Sequence, residues 1–323
     1  FVVAEAVAPV VLEQEPNQDA AHPQSVTLPC DISGTFGVPG DFDIYRFQAR
    51  KDEVWTIEVI AEREGSLADP SYVIQKVDPK TNQYQDLETG DDLPDTGSGP
   101  RFNTRSLDAV TRWRVPEDGL YQITINDLYG SQRGDPRLTY RLTITRETPD
   151  FRLVLVPEKP LPNEAVGLRA GGRTLAYVVA IRSGGFRGAI RVEPRGLPPG
   201  VKCEPITIQG GDKLAPIVFE GAEGAATAIG TVTLIGKSRF PSEDKKTEEA
   251  PDIVRIALAG GMTGPPVQRA ESVAPSRLNH GFVLALQGDP APLTLSAKLG
   301  ASTYALGSRI PIEQIGRASC RER

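Results

Sequence analysis

The chain has 323 residues, which is enough for two or three domains that each bury a hydrophobic core. Its formal net charge of −6 argues against nucleic acid as a partner, because binding to phosphates requires a basic face. No apolar run reaches the roughly 18 residues of a membrane span, so we expect no membrane-spanning segment. The 32 glycines and 28 prolines favour many strands and turns over a helical fold.

The two ends of the chain differ from the rest. Residues 1–12 are typical of the tail of a preceding segment and lack the basic region of a signal peptide. Residues 315–323 resemble the conceptual translation of a sequencing adapter, and we predict that they are an artefact. On this interpretation the chain is a fragment, and any catalytic domain lies outside it.

From residue 25 to residue 146, short apolar runs alternate with turn residues. Trp55, Ile57 and Val59 alternate with polar residues, which is the period-2 pattern of a half-buried strand. Strands are predicted at 25–36, 41–49, 53–61, 71–77, 108–115, 120–126 and 138–145. We expect the second and third to form a hairpin, and the polar residues 85–105 to form a long exposed loop. Seven strands without a helix indicate a β-sandwich.

A second strand-rich region follows Pro149, a residue that cannot donate to a continuing strand ladder. Strands are predicted at 151–157, 173–181, 189–193, 206–209, 215–219, 230–235, 252–259 and 281–287, the third of them pairing back on the second. The turn at 182–188 followed by Gly-Leu-Pro-Pro-Gly-Val at 196–201 is similar to bacterial immunoglobulin-like domains. Residues 305–312 align weakly with 170–177, so we interpret 290–314 as the truncated start of a further such repeat.

An ordered set of motifs in the first region carries a more specific resemblance. The motifs are Glu-Pro-Asn at 15–17, Val-Thr-Leu-Pro at 26–29, Ile-Ser-Gly at 32–34, Gly-Asp-Phe-Asp-Ile-Tyr-Arg-Phe at 40–47, Trp-Thr-Ile-Glu-Val at 55–59, Gly-Asp-Asp at 90–92 and Tyr-Gln-Ile-Thr-Ile at 121–125. Together they resemble the bacterial pre-peptidase C-terminal domain, a jelly-roll β-sandwich appended to secreted peptidases and other extracellular proteins. The predicted architecture is therefore all-β: a jelly-roll-like sandwich at 13–149 followed by an immunoglobulin-like sandwich at 150–289, in a tandem array.

The resemblance also implies a metal site, because some members of this family bind calcium through an acidic linker and an acidic strand start. The residues at matching positions are Glu13, Glu15, Asn17, Asp41 and Asp43, with Asp91 and Asp92 closing the site from a loop. Calcium is a hard cation that takes six to eight oxygen ligands. Calcium-binding members often have aspartate where this chain has Gln18, which lowers the ligand charge. The alternative is that the aspartates form ordinary turn hydrogen bonds.

Other chemistry has little support in the sequence. The chain has no GxSxG or HExxH motif, and neither His22 nor His280 has a local Ser or Cys partner, so we predict no catalytic residues and no enzymatic activity. Cys30 and Cys203 are expected to be small buried residues without a disulfide. Of the aromatic residues, Phe102 and Tyr129 lie in predicted loops and are the candidates for exposed contacts.

These observations predict a non-catalytic accessory, binding and spacer segment of a large secreted, periplasmic or cell-surface bacterial protein. Its expected partners are extracellular proteins or polysaccharides and the neighbouring domains of the same chain. One alternative is a substrate-delivery or maturation module of an extracellular peptidase, which an upstream protease domain would identify. Another is a carbohydrate-binding module, which would carry exposed aromatic residues on one face of the sandwich.

Overall fold

The computed structural model describes residues 5–94, 102, 104–158, 165–239, 252–262, 276–279, 282–299 and 312–318. Regular structure in these residues is almost entirely β-strand, with one short 3-10 helix at Glu62–Glu64, so the predicted all-β class is confirmed. The described part contains no helix long and apolar enough to cross a membrane. The chain forms two compact units: most residues up to Asp150, together with Ser183–Phe186, form the first, and most later residues, together with Phe102, form the second.

The first unit is a sandwich of two five-stranded sheets. Its strands are β1 (Val10–Leu12), β2 (Gln24–Ser25), β3 (Cys30–Thr35), β4 (Phe42–Ala49), β5 (Val54–Ile60), β6 (Pro70–Val77), β7 (Tyr84–Gly90), β8 (Val110–Arg114), β9 (Gly119–Asp127) and β10 (Thr139–Arg146). One sheet has the order β1-β3-β10-β5-β8 and the other β2-β4-β9-β6-β7. β1 runs parallel to β3, and β2 runs parallel to β4.

The core of the first unit lies between these two sheets. The alternating residues Trp55, Ile57 and Val59 of β5 are all buried in it, as the period-2 pattern predicts. Trp55 pairs in register with Trp113 of β8, so both tryptophans of the chain belong to this core. Each buried large apolar side chain contributes about 1.5–3 kcal/mol to the stability of the folded unit.

The predicted hairpin of the second and third strands is wrong. β4 pairs with β9 and β2, whereas β5 pairs with β10 and β8, so the two strands lie in different sheets. Tyr45 and Phe47 of β4 face the core from one side, and Ile57 and Val59 of β5 face it from the other. The short connection at 50–53 therefore crosses from one sheet to the other. β4 and β5 bury their apolar faces against each other from opposite sides of the core.

Part of the predicted loop at 85–105 is a strand. β7 pairs antiparallel with β6 and forms the edge of its sheet, with a register irregularity between Ile74 and Gln75. Most side chains of β7 are exposed, and for this reason its sequence is polar. Phe102, predicted to be an exposed loop residue, is only 6% exposed and packs against Val154, Val156 and Val179 within the second unit.

The second unit contains two six-stranded sheets and a separate strand pair. Its strands are β11 (Asp150–Pro157), β12 (Ala165–Ala170), β13 (Arg173–Ser183), β14 (Ile190–Arg195), β15 (Val201–Lys202), β16 (Ile206–Ile208), β17 (Leu214–Gly221), β18 (Ala228–Arg239), β19 (Asp252–Ile256), β20 (Leu258–Met262), β21 (Ser276–Asn279), β22 (Phe282–Pro290), β23 (Leu293–Leu299) and β24 (Ile312–Ala318). One sheet has the order β15-β17-β13-β11-β20-β21, and the other β12-β22-β18-β14-β16, with β19 also paired to β18.

Several expectations for the second unit need correction. β14 does not pair back on β13; it pairs with β16 and β18 in the other sheet. The single strand predicted at 252–259 is two strands, β19 and β20, which belong to different sheets. β23 pairs with β24, which includes residues 315–318, and the interpretation of the segment from residue 315 as an artefact stays a prediction. The proposed repeat at 305–312 lies outside the described residues apart from Ile312.

Candidate metal centre

The candidate centre lies at the end of the first sandwich where β3 ends and β4 begins. Glu13 directly follows β1, and its backbone N–H donates to the carbonyl of Ser33 at 3.0 Å. The Oε2 of Glu13 accepts a hydrogen bond of 3.0 Å from the backbone N–H of Thr35. Asp43 is the second residue of β4 and is 0% exposed. Glu13 is thus held to β3 of one sheet and Asp43 lies on β4 of the other, so the packing of the two sheets brings an N-terminal glutamate beside a buried aspartate.

Three of the predicted ligands meet at this point. One carboxylate oxygen from each of Glu13, Glu15 and Asp43 lies within 4.8 Å of the other two. Opposite oxygens around a calcium ion are about 4.6–5.2 Å apart, which is twice the calcium–oxygen distance. The spread of the three oxygens therefore fits a cation of this size.

Asn17 supplies a fourth oxygen beside this group. Its carbonyl accepts from the backbone N–H of Ile44 at 3.3 Å, and its own N–H donates to Glu15 Oε2 at 3.0 Å. Asn17 is 0% exposed, yet among the described residues neither its Oδ1 nor its Nδ2 has a hydrogen-bond partner, and Asp43 Oδ1 has none either. Leaving such atoms unsatisfied costs about 1–3 kcal/mol each. Within the described residues, these three atoms are therefore left to water or to a bound ligand.

Two tyrosines support the buried carboxylate. Tyr140 donates its hydroxyl hydrogen to Asp43 Oδ2 at 2.6 Å and lies 2.7 Å from the hydroxyl of Tyr45. Its hydroxyl is also 3.2 Å from Glu13 Oε1. Tyr140 pairs in register with Gly34, where an added Cβ would lie 2.5 Å from the tyrosine ring. Glycine at position 34 therefore gives the ring the space from which it reaches Asp43.

The electrostatics of the centre favour a cation. Burial raises the pKa of Asp43 well above its usual range, and the hydrogen bond and negative charge of Glu13 raise it further. Burial also raises the pKa of Glu15, to which the negative charges of Asp41 and Glu13 contribute. Each shift shows that an additional negative charge is disfavoured here, and a bound cation would offset that cost.

Asp41 is near the centre but is used differently. Its Oδ2 accepts a hydrogen bond of 2.6 Å from the backbone N–H of Gly37, and its Oδ1 accepts one of 3.0 Å from Gln18 Nε2. The bond to Gly37 is the turn chemistry that the sequence left as an alternative. Asp41 lies outside the group of three carboxylates, and Gln18 links it to Glu15.

The structure does not bring Asp91 and Asp92 to the centre. They follow β7, which is separated from β4 by β9 and β6. Three strand spacings of about 4.8 Å amount to roughly 14 Å, which is far beyond one coordination sphere. Asp92 binds Arg105 at 3.0 Å instead, and burial, together with the charges of Asp92 and Asp91, raises the pKa of Asp69. The structure therefore places this pair apart from the group of three carboxylates.

The loop after β9 holds an Arg-Gly-Asp tripeptide at 133–135. The guanidinium of Arg133 makes two hydrogen bonds of 2.7 Å to the carboxylate of Asp127, and Asp135 is paired with Arg137 at 2.8 Å. Both charged groups of the tripeptide thus serve the loop itself. Tyr129 in the same loop is 54% exposed, as predicted.

Exposed aromatic residues do not form a row on one face of the described sandwich. Tyr84 and Tyr129 are each 54% exposed, and they lie at opposite ends of the same sheet. Two of the three cysteines lie in the described residues, and both are free: Cys30 is buried as expected, whereas Cys203 is only half-buried.

Comparison with known proteins gives similarity to solved structures alone: no protein-family model and no curated protein matches the chain. The pre-peptidase C-terminal domain of a collagenase from Bacillus anthracis is 14% identical, covers 41% of this chain and 100% of its own, and has a TM-score of 0.28. The class 5 fimbriae chaperone CfaA is 10% identical over 52% of this chain and 67% of its own, with a TM-score of 0.22. A Bifidobacterium dentium β-glucuronidase is 9% identical over 69% of this chain and 40% of its own, with a TM-score of 0.29. Values this low support no function for the chain.

Proposed function

We propose that the chain is a non-catalytic accessory, binding and spacer segment of a secreted, periplasmic or cell-surface protein, with a first sandwich stabilised by calcium. Glu13, Glu15, Asn17 and Asp43 would hold the ion. The observation that carries this proposal is the fully buried, unpartnered side chain of Asn17 beside the unpartnered Oδ1 of Asp43. Burying carboxylates and an amide together is costly unless a cation compensates them.

Calcium is preferred because all the available donors are oxygens. Three carboxylates and one amide oxygen supply four positions, and water can complete a sphere of six to eight. The chain contains only two histidines, and Cys30 lies in the hydrophobic core, so a transition-metal set of nitrogen and sulfur ligands does not fit this end of the sandwich.

The role of such an ion is structural. Glu13, Glu15 and Asn17 belong to the segment between β1 and β2, and Asp43 belongs to β4 in the opposite sheet from β1. One ion would therefore join the N-terminal segment to both sheets. Calcium concentrations outside the cell are high enough for a site of modest affinity, which agrees with an extracellular setting.

The test measures calcium binding to the full chain by calorimetry. Thermal melting of the same chain is recorded in calcium and in chelator. Tryptophan fluorescence reports on the first sandwich alone, because Trp55 and Trp113 are the two tryptophans of the chain and both lie in its core. We expect saturable heat and a higher melting temperature in calcium. Glu13→Gln removes one ligand charge, and we expect it to weaken binding about tenfold or more.

The matched control is the double change Asp91→Asn and Asp92→Asn, which removes two carboxylates from the same sandwich at a distance from the centre. It should leave calcium affinity unchanged. Absence of heat and of a melting shift in the wild-type chain would show that water, not calcium, satisfies Asn17 and Asp43. Equal losses in the control and in Glu13→Gln would refute the assignment of ligands.

A further inference from the structure

We propose that the side-chain amide of Gln18 is a built-in competitor for the calcium site, so that calcium must displace it from Glu15 to bind. This inference rests on the proposed function and adds the residue that sets the affinity of the site. Gln18 Nε2 lies 2.9 Å from Glu15 Oε1, 2.8 Å from Glu15 Oε2 and 3.0 Å from Asp41 Oδ1. The amide nitrogen thus stands between two carboxylates, in the position of a small cation.

The contacts of Glu15 explain why the two ligands exclude each other. Both oxygens of its carboxylate face the Gln18 amide, and Oε2 also accepts from the backbone N–H of Asn17. Because Gln18 Nε2 is 2.9 Å and 2.8 Å from the two oxygens of Glu15, it lies where a cation bound through both of them would lie, and its hydrogens repel a cation. Bidentate coordination of calcium by Glu15 therefore requires that Gln18 rotates away.

The amide also stabilises the metal-free form. Glu15 and Asp41 are both acidic, and their carboxylates lie on either side of Gln18 Nε2, within 3.0 Å of it. Hydrogen bonds from Gln18 to both carboxylates offset part of this repulsion without adding charge. Removing the amide should therefore destabilise the metal-free form and strengthen calcium binding, two effects that act in the same direction on affinity.

In the opposite role, the side-chain amide of Gln18 flips and its Oε1 binds calcium. The two roles predict opposite signs for one substitution. If the amide competes, Gln18→Ala strengthens calcium binding; if it is a ligand, Gln18→Ala weakens it. Hydrogen bonds to a charged group that is partly exposed support an expected gain of about five- to tenfold.

The experiment compares the full chain with Gln18→Ala and with Gln48→Ala by calcium calorimetry and by tryptophan-detected melting. Gln48 is an exposed glutamine on β4. Gln48→Ala therefore removes the same kind of side-chain amide at a position away from the centre. For Gln18→Ala we expect tighter calcium binding, a lower melting temperature in chelator and a larger rise on adding calcium, and no change for Gln48→Ala. In the wild type, NMR of the Gln18 side-chain NH₂ should show slower hydrogen exchange in chelator than in calcium.

Unchanged or weaker binding by Gln18→Ala, with calcium binding by the wild type intact, would overturn this inference and leave the proposed site standing. Failure of both the wild type and Gln18→Ala to bind calcium would overturn the site itself, and the inference with it. A gain in Gln48→Ala equal to that in Gln18→Ala would also refute the competition, because the effect would not depend on Glu15.

Discussion

Replacing Asp43 by asparagine should change the stability of the first sandwich in opposite directions with and without calcium. Asp43 is fully buried, one of its oxygens is bound by Tyr140, and the other has no partner among the described residues. In the metal-free protein the carboxylate must therefore be buried as a poorly paired charge or be protonated, and Asp43→Asn removes that cost. In calcium the same change removes a ligand charge.

Asparagine keeps one unpartnered side-chain position, so the expected gain is the extra cost of burying that position as a charged instead of a neutral group, about 2 kcal/mol. For a domain of roughly this size, that free energy corresponds to a rise in melting temperature of about 6–8 °C in chelator. The assay is tryptophan-detected melting of the full chain at pH 8, in chelator and in saturating calcium. We expect Asp43→Asn to melt above the wild type in chelator and to respond little to calcium.

The result that refutes this reasoning is a variant that melts below the wild type in chelator. It would mean that the carboxylate of Asp43 stabilises the metal-free fold through Tyr140. A variant that keeps the full calcium response would instead remove Asp43 from the ligand set.

Three further predictions concern the same sandwich. Because the pKa of Asp43 is raised on folding, its contribution to stability is fully present below about pH 4 and is lost as the pH rises. Urea unfolding in chelator should show this loss of stability with rising pH, and calcium should make the loss smaller. Gly34→Ala places a Cβ 2.5 Å from the ring of Tyr140 and should cost about 2–3 kcal/mol in the same assay while weakening calcium binding. Arg133→Ala leaves the buried carboxylate of Asp127 without its partner, and since Arg133 is partly exposed the expected loss is about 1–2 kcal/mol by urea unfolding.

Matched controls separate these effects from general damage. Gly37→Ala adds a Cβ whose nearest neighbour, Asp41 Oδ2, is 3.8 Å away, which is an ordinary contact, so it should leave stability nearly unchanged. Arg137→Ala removes an ion pair at the surface and should have a smaller effect than Arg133→Ala. A free energy of unfolding in chelator that stays constant or rises up to pH 8 would contradict the prediction for Asp43. Equal losses of stability in Gly34→Ala and Gly37→Ala, or in Arg133→Ala and Arg137→Ala, would contradict the prediction for that pair.

The sequence predicted the strands best where one face is buried. The alternation of Trp55, Ile57 and Val59 identifies β5 and its inward face because burial on one side imposes period 2. It failed for β7, whose exposed edge position allows almost any polar sequence. It also failed for the partners of β4, because an apolar face shows that a strand is buried and not which sheet it joins.

The candidate centre was predictable only in part, for a similar reason. Glu13 follows β1, which pairs with β3, and Asp43 lies at the start of β4 in the opposite sheet, so the two meet where the sheets pack together at the β3–β4 end. The position of Asp91 depends on how many strands separate β7 from β4, and spacing along the sequence does not give that number. Tyr140 was missed because its role depends on facing Gly34 across β3 and β10, although a glycine within a strand is a signal for close approach.

The parallel pairing of β1 with β3 has a mechanical consequence. β10 runs antiparallel to β3, so the first residues of β1 and the last residues of β10 lie at the same end of one sheet, on either side of β3. Two strand spacings, about 10 Å, separate the points where the chain joins and leaves this sheet, whereas a strand of eight residues is about 27 Å long. Tension applied between β1 and β10 would therefore load one end of the sheet and peel both strands from β3 bond by bond, instead of shearing all of their hydrogen bonds at once.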